Sequence, residues 1–501
     1  MHFRALGAAI VSATTLCAAE VPLARIGVMS DIHLTGPESA AAFRRVLEHC
    51  RDAGVDAVVI AGDIADNGHF PELALCAGVW DEVFPGDALP DGRHVEKLFI
   101  YGNHDIDGGI WHGRRLGKSE DWIEANAIRV GDNRAVFWET LFREPYRPIW
   151  MKTVRGLTFI GEHWSTNPDV GYYDQSGNAP LLPAFLAEHA NELSANPGCP
   201  FFVILHGHPK DTVYGPWAWG HGRGDETAAL SAFPNAVVLS GHSHYPLTDE
   251  RSVWQGAFTS VGTASLRSMS ADYAEAENSS GNDFDPREAE RTRPRIMRRV
   301  VAQGERHAML MDVFDGRVVL RRLSFGPHGP RALGADWEVP IPAREGSSLA
   351  FAARARDMAP PEFPAGAAVT ATLCDKPPEG TARNGFSNAC VHVTFPGAVN
   401  VDGRRVFEYR LRVLDGDGAE QATRIVVAPD YAAPAGEPAV PGVCLFALDE
   451  LPTGQPLRIE VSPLNCFGAA GKPIVGEFRA DIAANDPTPV DDASPVIRQH
   501  E

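Results

Sequence analysis

Five times in the front half of the chain an apolar run stops at a cluster of acids, amides and histidines. Ile26 to Asp31 reads as a strand with a polar tip. Phe43, Val46, Leu47 and Cys50 then recur at helical spacing until Gly54 stops them, and Asp56 to Asp63 is the next strand. Strand, helix and strand with short joins make a βαβ unit, which requires a parallel sheet. Similar apolar strands are expected at Lys97–Tyr101, Leu157–Gly161, Phe201–Leu205 and Ala236–Ser240. The clusters at their ends are Asp31-Ile32-His33, Gly62-Asp63-Ile64-Ala65-Asp66, Gly102-Asn103-His104-Asp105, His206-Gly207-His208-Pro209 and Gly241-His242-Ser243-His244. Carboxyl ends of strands are where α/β sheets generally build their sites.

Carboxylate, amide and imidazole donors in one set suit Mn, Fe or Zn rather than calcium or copper. Gathered at strand ends, they are costly to bury without a cation. Two such metals about 3.5–4 Å apart need one bridging carboxylate. The alternation in Gly241-His242-Ser243-His244 lets two imidazoles leave the same side of an extended backbone, and Gly241, Gly62 and Gly102 allow close approach. For His69, His94, His112, His163, His208 and His221 a hydrogen-bonded structural or surface role is the default.

Together the five clusters resemble the calcineurin-like metallophosphoesterase family, in the family's order, over roughly residues 24 to 325. The resemblance implies a four-layer α/β/β/α domain with two divalent or trivalent ions, Mn, Fe or Zn. It implies Asp63 as the bridge, with Asp31, His33 and His244 completing one metal and Asn103, His206 and His242 the other. A metal-bridging hydroxide would then attack phosphorus in line on a phosphodiester or phosphomonoester. His104 is the candidate acid for the leaving alkoxide, with Asp105 orienting its imidazole. Asp66, standing where purple acid phosphatases place a tyrosine ligand, is read as holding a ligand or water. In the fourth cluster His206 is preferred because it directly follows a strand, and His208 is the fallback. Trp217, Trp219, His221 and Arg223 occupy a Gly-rich loop that either lines the pocket or packs. Arg114, Arg115 and Lys210 either pair with phosphate or are ordinary solvated charges.

A chain of 501 residues exceeds one average domain. Residues 1–19, with an apolar run from Ala5 to Cys17, read as a signal peptide for a secreted or periplasmic protein. Residues 20–326 form the phosphoesterase domain, closed by a hairpin at His307–Phe314 and Arg317–Phe325, and Ser270 to Arg295 reads as a solvated insertion. Residues 327–345 are expected as a linker, 346–484 as an all-β sandwich loosely resembling fibronectin type III, and 485–501 as a disordered tail. Strands are expected there at Ala368–Leu373, Ala389–Phe395, Val406–Val413, Arg424–Val427, Val443–Leu448 and Leu457–Val461. Cys374, Cys390, Cys444 and Cys466 allow three pairings in an oxidising compartment. A net charge of −20 argues against duplex nucleic acid as a partner, so the expected ligand is a small phosphoester. No transmembrane segment is expected, and the partner of the sandwich is open. Two rivals are a surface- or glycan-binding protein using the front domain as a scaffold, and a dinuclear amidohydrolase. The latter characteristically opens with H-x-H, whereas here the first cluster is Asp31-Ile32-His33.

Overall fold

The computed structural model describes residues 20–164, 181–215, 218–222, 224–275, 295–326, 329–344, 346–378, 389–400 and 402–480, with only backbone between 272 and 300. The leader at 1–19, the tail at 485–501, Trp217 and Arg223 lie outside the described residues. Two sheets face each other. The first has β1 (Ala24–Met29), β2 (Ala57–Ala61) and β3 (Glu96–Ile100), mutually parallel. The second is built on β4 (Ile149–Val154), β5 (Leu157–Glu162), β6 (Phe201–Leu205), β7 (Ala236–Ser240), β8 (Val253–Gln255) and β9 (Thr259–Gly262), in the order β4-β5-β6-β7-β9-β8. Its inner strands are parallel, and β4 and β8 are antiparallel edges.

β2, β6 and β7 are buried at every position, as strands covered on both faces must be. Between the sheets, Ile26, Val28, Val59 and Leu98 pack with Phe159, Phe202, Ile204, Val237 and Leu239. On the outer face of the first sheet lie α1 (Pro37–Ala53) and α2 (Phe70–Val83). Helices at Leu181–Glu188 and Asp225–Leu230 cover the second sheet. This is the expected four-layer α/β/β/α arrangement. α1 ends where Gly54 adopts φ 70°, a left-handed cap that a side chain disfavours.

Two expectations are corrected. The insertion does not begin at Ser270, because β10 (Met269–Glu275) pairs with β11 (Arg295–Ala302); residues 276–294 between them lie outside the described residues. The linker is part of the first sheet. β12 (His307–Phe314) lies antiparallel to β1 and forms a hairpin with β13 (Arg317–Ser324), which pairs in turn with β14 (Arg331–Ala332) and β15 (Trp337–Pro340). The alternation Trp337, Val339 turns both side chains into the core, a period-two signal hidden among prolines and glycines.

The C-terminal region is all antiparallel. β16 (Thr370–Cys374), β17 (Cys390–Phe395), β18 (Glu408–Leu414), β19 (Glu420–Val427), β20 (Gly442–Ala447), β21 (Pro456–Leu464) and β22 (Ile474–Arg479) form sheets of order β16-β17-β20 and β19-β18-β21-β22. Val391, Val393 and Phe446 from one sheet share a buried cluster with Tyr409, Leu411, Ile459 and Val461 from the other. β22 was not anticipated, because its exposure alternates around polar and glycine positions. The seven described cysteines are free thiols. No helix among the described residues is long and apolar enough to cross a membrane.

Candidate metal centre

The five clusters meet at one end of the facing sheets. Asp31 and His33 follow β1, Asp63 follows β2, Asn103 opens a short helix after β3, His206 directly follows β6, and His242 and His244 follow β7. The Asp31 N–H donates to the Gly62 carbonyl at 3.0 Å and that of His33 to the Asp63 carbonyl at 3.0 Å, while Gly241 N–H reaches the His206 carbonyl at 3.0 Å. Five of the seven expected ligands have left-handed backbone: Asp31 (φ 50°), His33 (49°), Asp63 (53°), His242 (70°) and His244 (57°). Such strain costs on the order of 1–3 kcal/mol per residue and clusters where function demands a geometry. It also corrects the expectation for 241–244, which is not extended. His242 and His244 instead join different groups of donors.

One group is Asp31, His33, Asp63 and His244; another is Asp63, His206 and His242; within each, one donor atom per residue lies within 4.8 Å of the others. Asp63 belongs to both. Its Oδ1 accepts the His104 N–H at 2.8 Å, which leaves Oδ2 facing inward, 3.6 Å from His33 Nε2 and 3.3 Å from His206 Nε2. Asn103 Oδ1 lies 2.9 Å from the same His206 Nε2. On the first side His244 Nε2 is 3.1 Å from Asp31 Oδ1 and 3.1 Å from His33 Nε2. The far nitrogens of two rings are held from behind: His33 Nδ1 by Asp66 Oδ1 at 3.0 Å, and His206 Nδ1 by the Ala61 carbonyl at 2.8 Å. Partners of that kind fix which nitrogen faces a metal. Two imidazole nitrogens facing each other beside carboxylates, out of water, are what a cation between them would require, so the donor set fits two metal ions.

Charge tells the same story. Burial alone would raise the Asp63 carboxyl, but His206 and His104 pull it well below its usual range. Burial lowers the affinity of His206 for a proton, and Asp63, with Asp31, outweighs it to bring its pKa to about 9. Neighbours at the site therefore favour the ionised carboxylate that a metal needs.

Asp105 occupies a different role from the one expected. The Asp105 carboxylate accepts N–H groups from Ala65 at 2.7 Å, Gly102 at 2.7 Å and Ile64 at 3.2 Å, so it does not orient the His104 imidazole. It ties the second cluster to the third. Burial, then the Asp63 charge, pushes its pKa up to about 8. The His104 ring is held through Nδ1 by the Asp66 carbonyl at 2.8 Å and stands edge-on to His33 at 4.5 Å. The reason sequence order misled is geometric: successive side chains at a helix start point in different directions. His208 lies between the Ser240 and Ser243 hydroxyls, 2.7 Å from each, and belongs to neither donor group. His221 bonds the Val213 carbonyl at 2.9 Å, and Arg114 pairs with Glu120 at the surface.

Three contributors had no signal in the sequence reading. Ser30 Oγ donates to Asp31 Oδ2 at 2.5 Å. Trp164 lies 5.7 Å from the His206 ring and 5.6 Å from the His242 ring, held by its indole N–H on Asp107 at 3.1 Å. Arg267 reaches Asp66. Gly62, expected from the sequence to allow close approach, has φ 90° and no room for a side chain, since a Cβ would lie 2.3 Å from His206 Nδ1. Trp219, anticipated only as a loop aromatic, stacks on His242 at 4.4 Å.

Paired donor groups sharing one aspartate, set in a two-sheet α/β/β/α domain, suggest a dinuclear metal site. Residues 24–246, a little under half of the chain, match the family model described as calcineurin-like phosphoesterase, and the α/β fold there is that of a metallophosphoesterase domain. Solved structures similar to it include a dimetal phosphatase from Danio rerio, 12% identical, covering 64% of this chain and 99% of that one at TM-score 0.34. GAP50, described as the anchor in the inner membrane complex of Plasmodium, is 12% identical over 64% of this chain and 90% of its own, TM-score 0.36. Purple acid phosphatase PPD1 from yellow lupin (Lupinus luteus) seeds is 14% identical over 63% and 53%, TM-score 0.36. No curated protein matches the sequence.

Proposed function

We propose that the protein hydrolyses a phosphomonoester or phosphodiester at this centre. Asp31, His33, Asp63 and His244 hold one metal, and Asp63, Asn103, His206 and His242 the other. The observation that carries the reading is the division of Asp63, with Oδ1 pinned by a backbone N–H and Oδ2 left between the two donor groups. When bound, two such ions neutralise phosphoryl oxygens and acidify water toward neutral pH. The chain's own residues do the rest. Asp66 and the Ala61 carbonyl keep the His33 and His206 Nε2 atoms inward. The Asp66 carbonyl holds His104 Nδ1, which leaves Nε2 to carry a proton to the leaving alkoxide. Asp105 binds the second and third clusters into one rigid floor.

The C-terminal region we read as a fibronectin type III-like sandwich, supported by its two antiparallel sheets and their shared core. Export rests on the composition of residues 1–19 alone.

The test is hydrolysis of bis-p-nitrophenyl phosphate and p-nitrophenyl phosphate after manganese reconstitution, with metal content measured alongside. Wild type should hold about two metals per chain and turn over at least one ester, and Asp63→Ala should lose both properties. The preferred ester separates diesterase from monoesterase. Wild type that binds two metals but cleaves neither ester would favour the scaffold alternative.

A further inference from the structure

Arg267 stands on a segment the phosphoesterase reading leaves unused. It follows β9 in a loop fastened to the first cluster. Thr263 Oγ donates to Ser30 Oγ at 2.7 Å, Ser265 Oγ donates to the Asp31 carbonyl at 3.0 Å while accepting the Arg267 N–H at 2.9 Å, and Leu266 N–H reaches the same carbonyl at 3.2 Å. These bonds tie the loop to Ser30 and Asp31. From it the Arg267 guanidinium extends to the rim of the centre, where Nη1 contacts Asp66 and lies 3.2 Å from His33 Nδ1. Asp66 is also the residue whose carbonyl holds His104, with its carboxylate 3.9 Å from His104 Nδ1. Arg267, His33 and His104 are thus gathered around one aspartate.

Only one edge of the guanidinium is engaged. Nε and Nη2 have no partner among the described residues, and the side chain is 47% exposed. A purely structural arginine beside one carboxylate is best placed to pair both of its nitrogens with it, as forked guanidinium–carboxylate pairs do. Here a single nitrogen is used and the remaining fork stays open, on the same aspartate that holds the histidine assigned to the leaving group. Asp66 sets the guanidinium's orientation, so little rotamer freedom is left to lose when an anion binds.

We propose that Arg267 is a clamp for the non-bridging phosphoryl oxygens of the substrate, presenting its free edge beside His104. The proposal rests on the phosphoesterase reading above. A terminal phosphoryl group carries more charge on its free oxygens than a diester does, so the clamp favours a phosphomonoester end.

The experiment is calorimetric binding of inorganic phosphate to manganese-reconstituted protein, with metal content and Michaelis parameters for both nitrophenyl esters, in wild type, Arg267→Ala and Arg267→Lys. The expected result is about two metals in all three proteins and phosphate affinity at least tenfold weaker in Arg267→Ala, partly restored in Arg267→Lys. KM should rise more for p-nitrophenyl phosphate than for bis-p-nitrophenyl phosphate. Unchanged phosphate affinity in metal-loaded Arg267→Ala overturns the clamp, as does a loss of metal that accounts for the whole effect, since that would make the residue a support for His33. Should Arg267→Ala fail to fold, wild-type phosphate affinity and KM values in Arg267→Lys would count against the forked contact equally. Wild type that takes up no metal overturns the phosphoesterase reading itself, and the clamp with it.

Discussion

Asp63 spends one oxygen on the His104 N–H and turns the other toward two imidazoles, and His104 is positioned by the same turn of chain. A proton donor for the leaving group matters most when that group is a poor one. His104→Gln should keep both metals and lower kcat by about 10²–10⁴ on an alkyl phosphate, with a smaller loss on p-nitrophenyl phosphate, whose phenolate departs unaided. Equal losses on the two esters would remove His104 from the acid role. Gly62 is constrained just as tightly without touching substrate. A methyl there would lie 2.3 Å from His206 Nδ1 and 2.9 Å from the Gly102 Cα, at φ 90°. Gly62→Ala should lose stability on the order of 1–3 kcal/mol and bind metal less fully. Wild-type metal content in a variant of unchanged urea midpoint would show that the cluster yields more easily than its packing implies.

The elements place these residues because strands bring many carboxyl ends together while their loops do the aiming. Pairing of elements also decides the fate of the cysteines. Cys374 on β16 lies directly opposite Cys390 on β17. Opposed residues in an antiparallel pair have Cα atoms about 4.5–5.5 Å apart, inside the range a disulfide spans. The Cys390 thiol pKa is raised by burial and then by the neighbouring Cys374. Cys444 instead faces Val393 across the sheet. Exposure to glutathione disulfide should join Cys374 to Cys390, releasing two glutathiones as the two protein thiols disappear, and leave Cys444 and Cys466 reduced. Peptide mapping that found a bridge to Cys444 or Cys466 would refute this pairing.

For the whole molecule, buried histidines set acid sensitivity. His307 on β12 accepts the Leu247 N–H at 3.1 Å and donates to the Ala432 carbonyl at 3.0 Å, joining the two parts of the chain; Thr248 adds a bond to the Tyr431 carbonyl at 2.6 Å. His163 accepts the Tyr101 N–H at 3.0 Å. Burial lowers the pKa of both to about 3 from the ordinary 6.5. Between those values the unfolded chain binds more protons, so stability rises with pH. Their contribution is complete above about pH 6.5 and is lost as pH falls toward 3, by roughly 1.4 kcal/mol per unit for each. Urea midpoints should fall across that window, and a His163→Gln/His307→Gln variant should show a shallower slope. An identical slope would mean that other groups dominate. Around the same junction Glu250 meets Arg322 Nη1 at 2.9 Å and the Trp337 indole N–H at 3.0 Å.

The sequence by itself determined the strands whose every residue is buried, Phe201–Leu205 and Ala236–Ser240 among them, because a run of apolar side chains has no stable place but between two layers. It also determined which chemistry gathers at their ends, since donor type is a local property. Only the tertiary structure decided which partner each donor meets. Asp105 and His104 are adjacent in sequence yet serve different neighbours, and Trp164 and Arg267 reach the centre from segments that carry no motif. Trp337 and Val339 become a strand because β13 offers an open edge, something no local pattern records. Left-handed backbone at five donor residues is likewise a product of loops pulled together by contacts far apart in the chain, for which glycine is the only local cue.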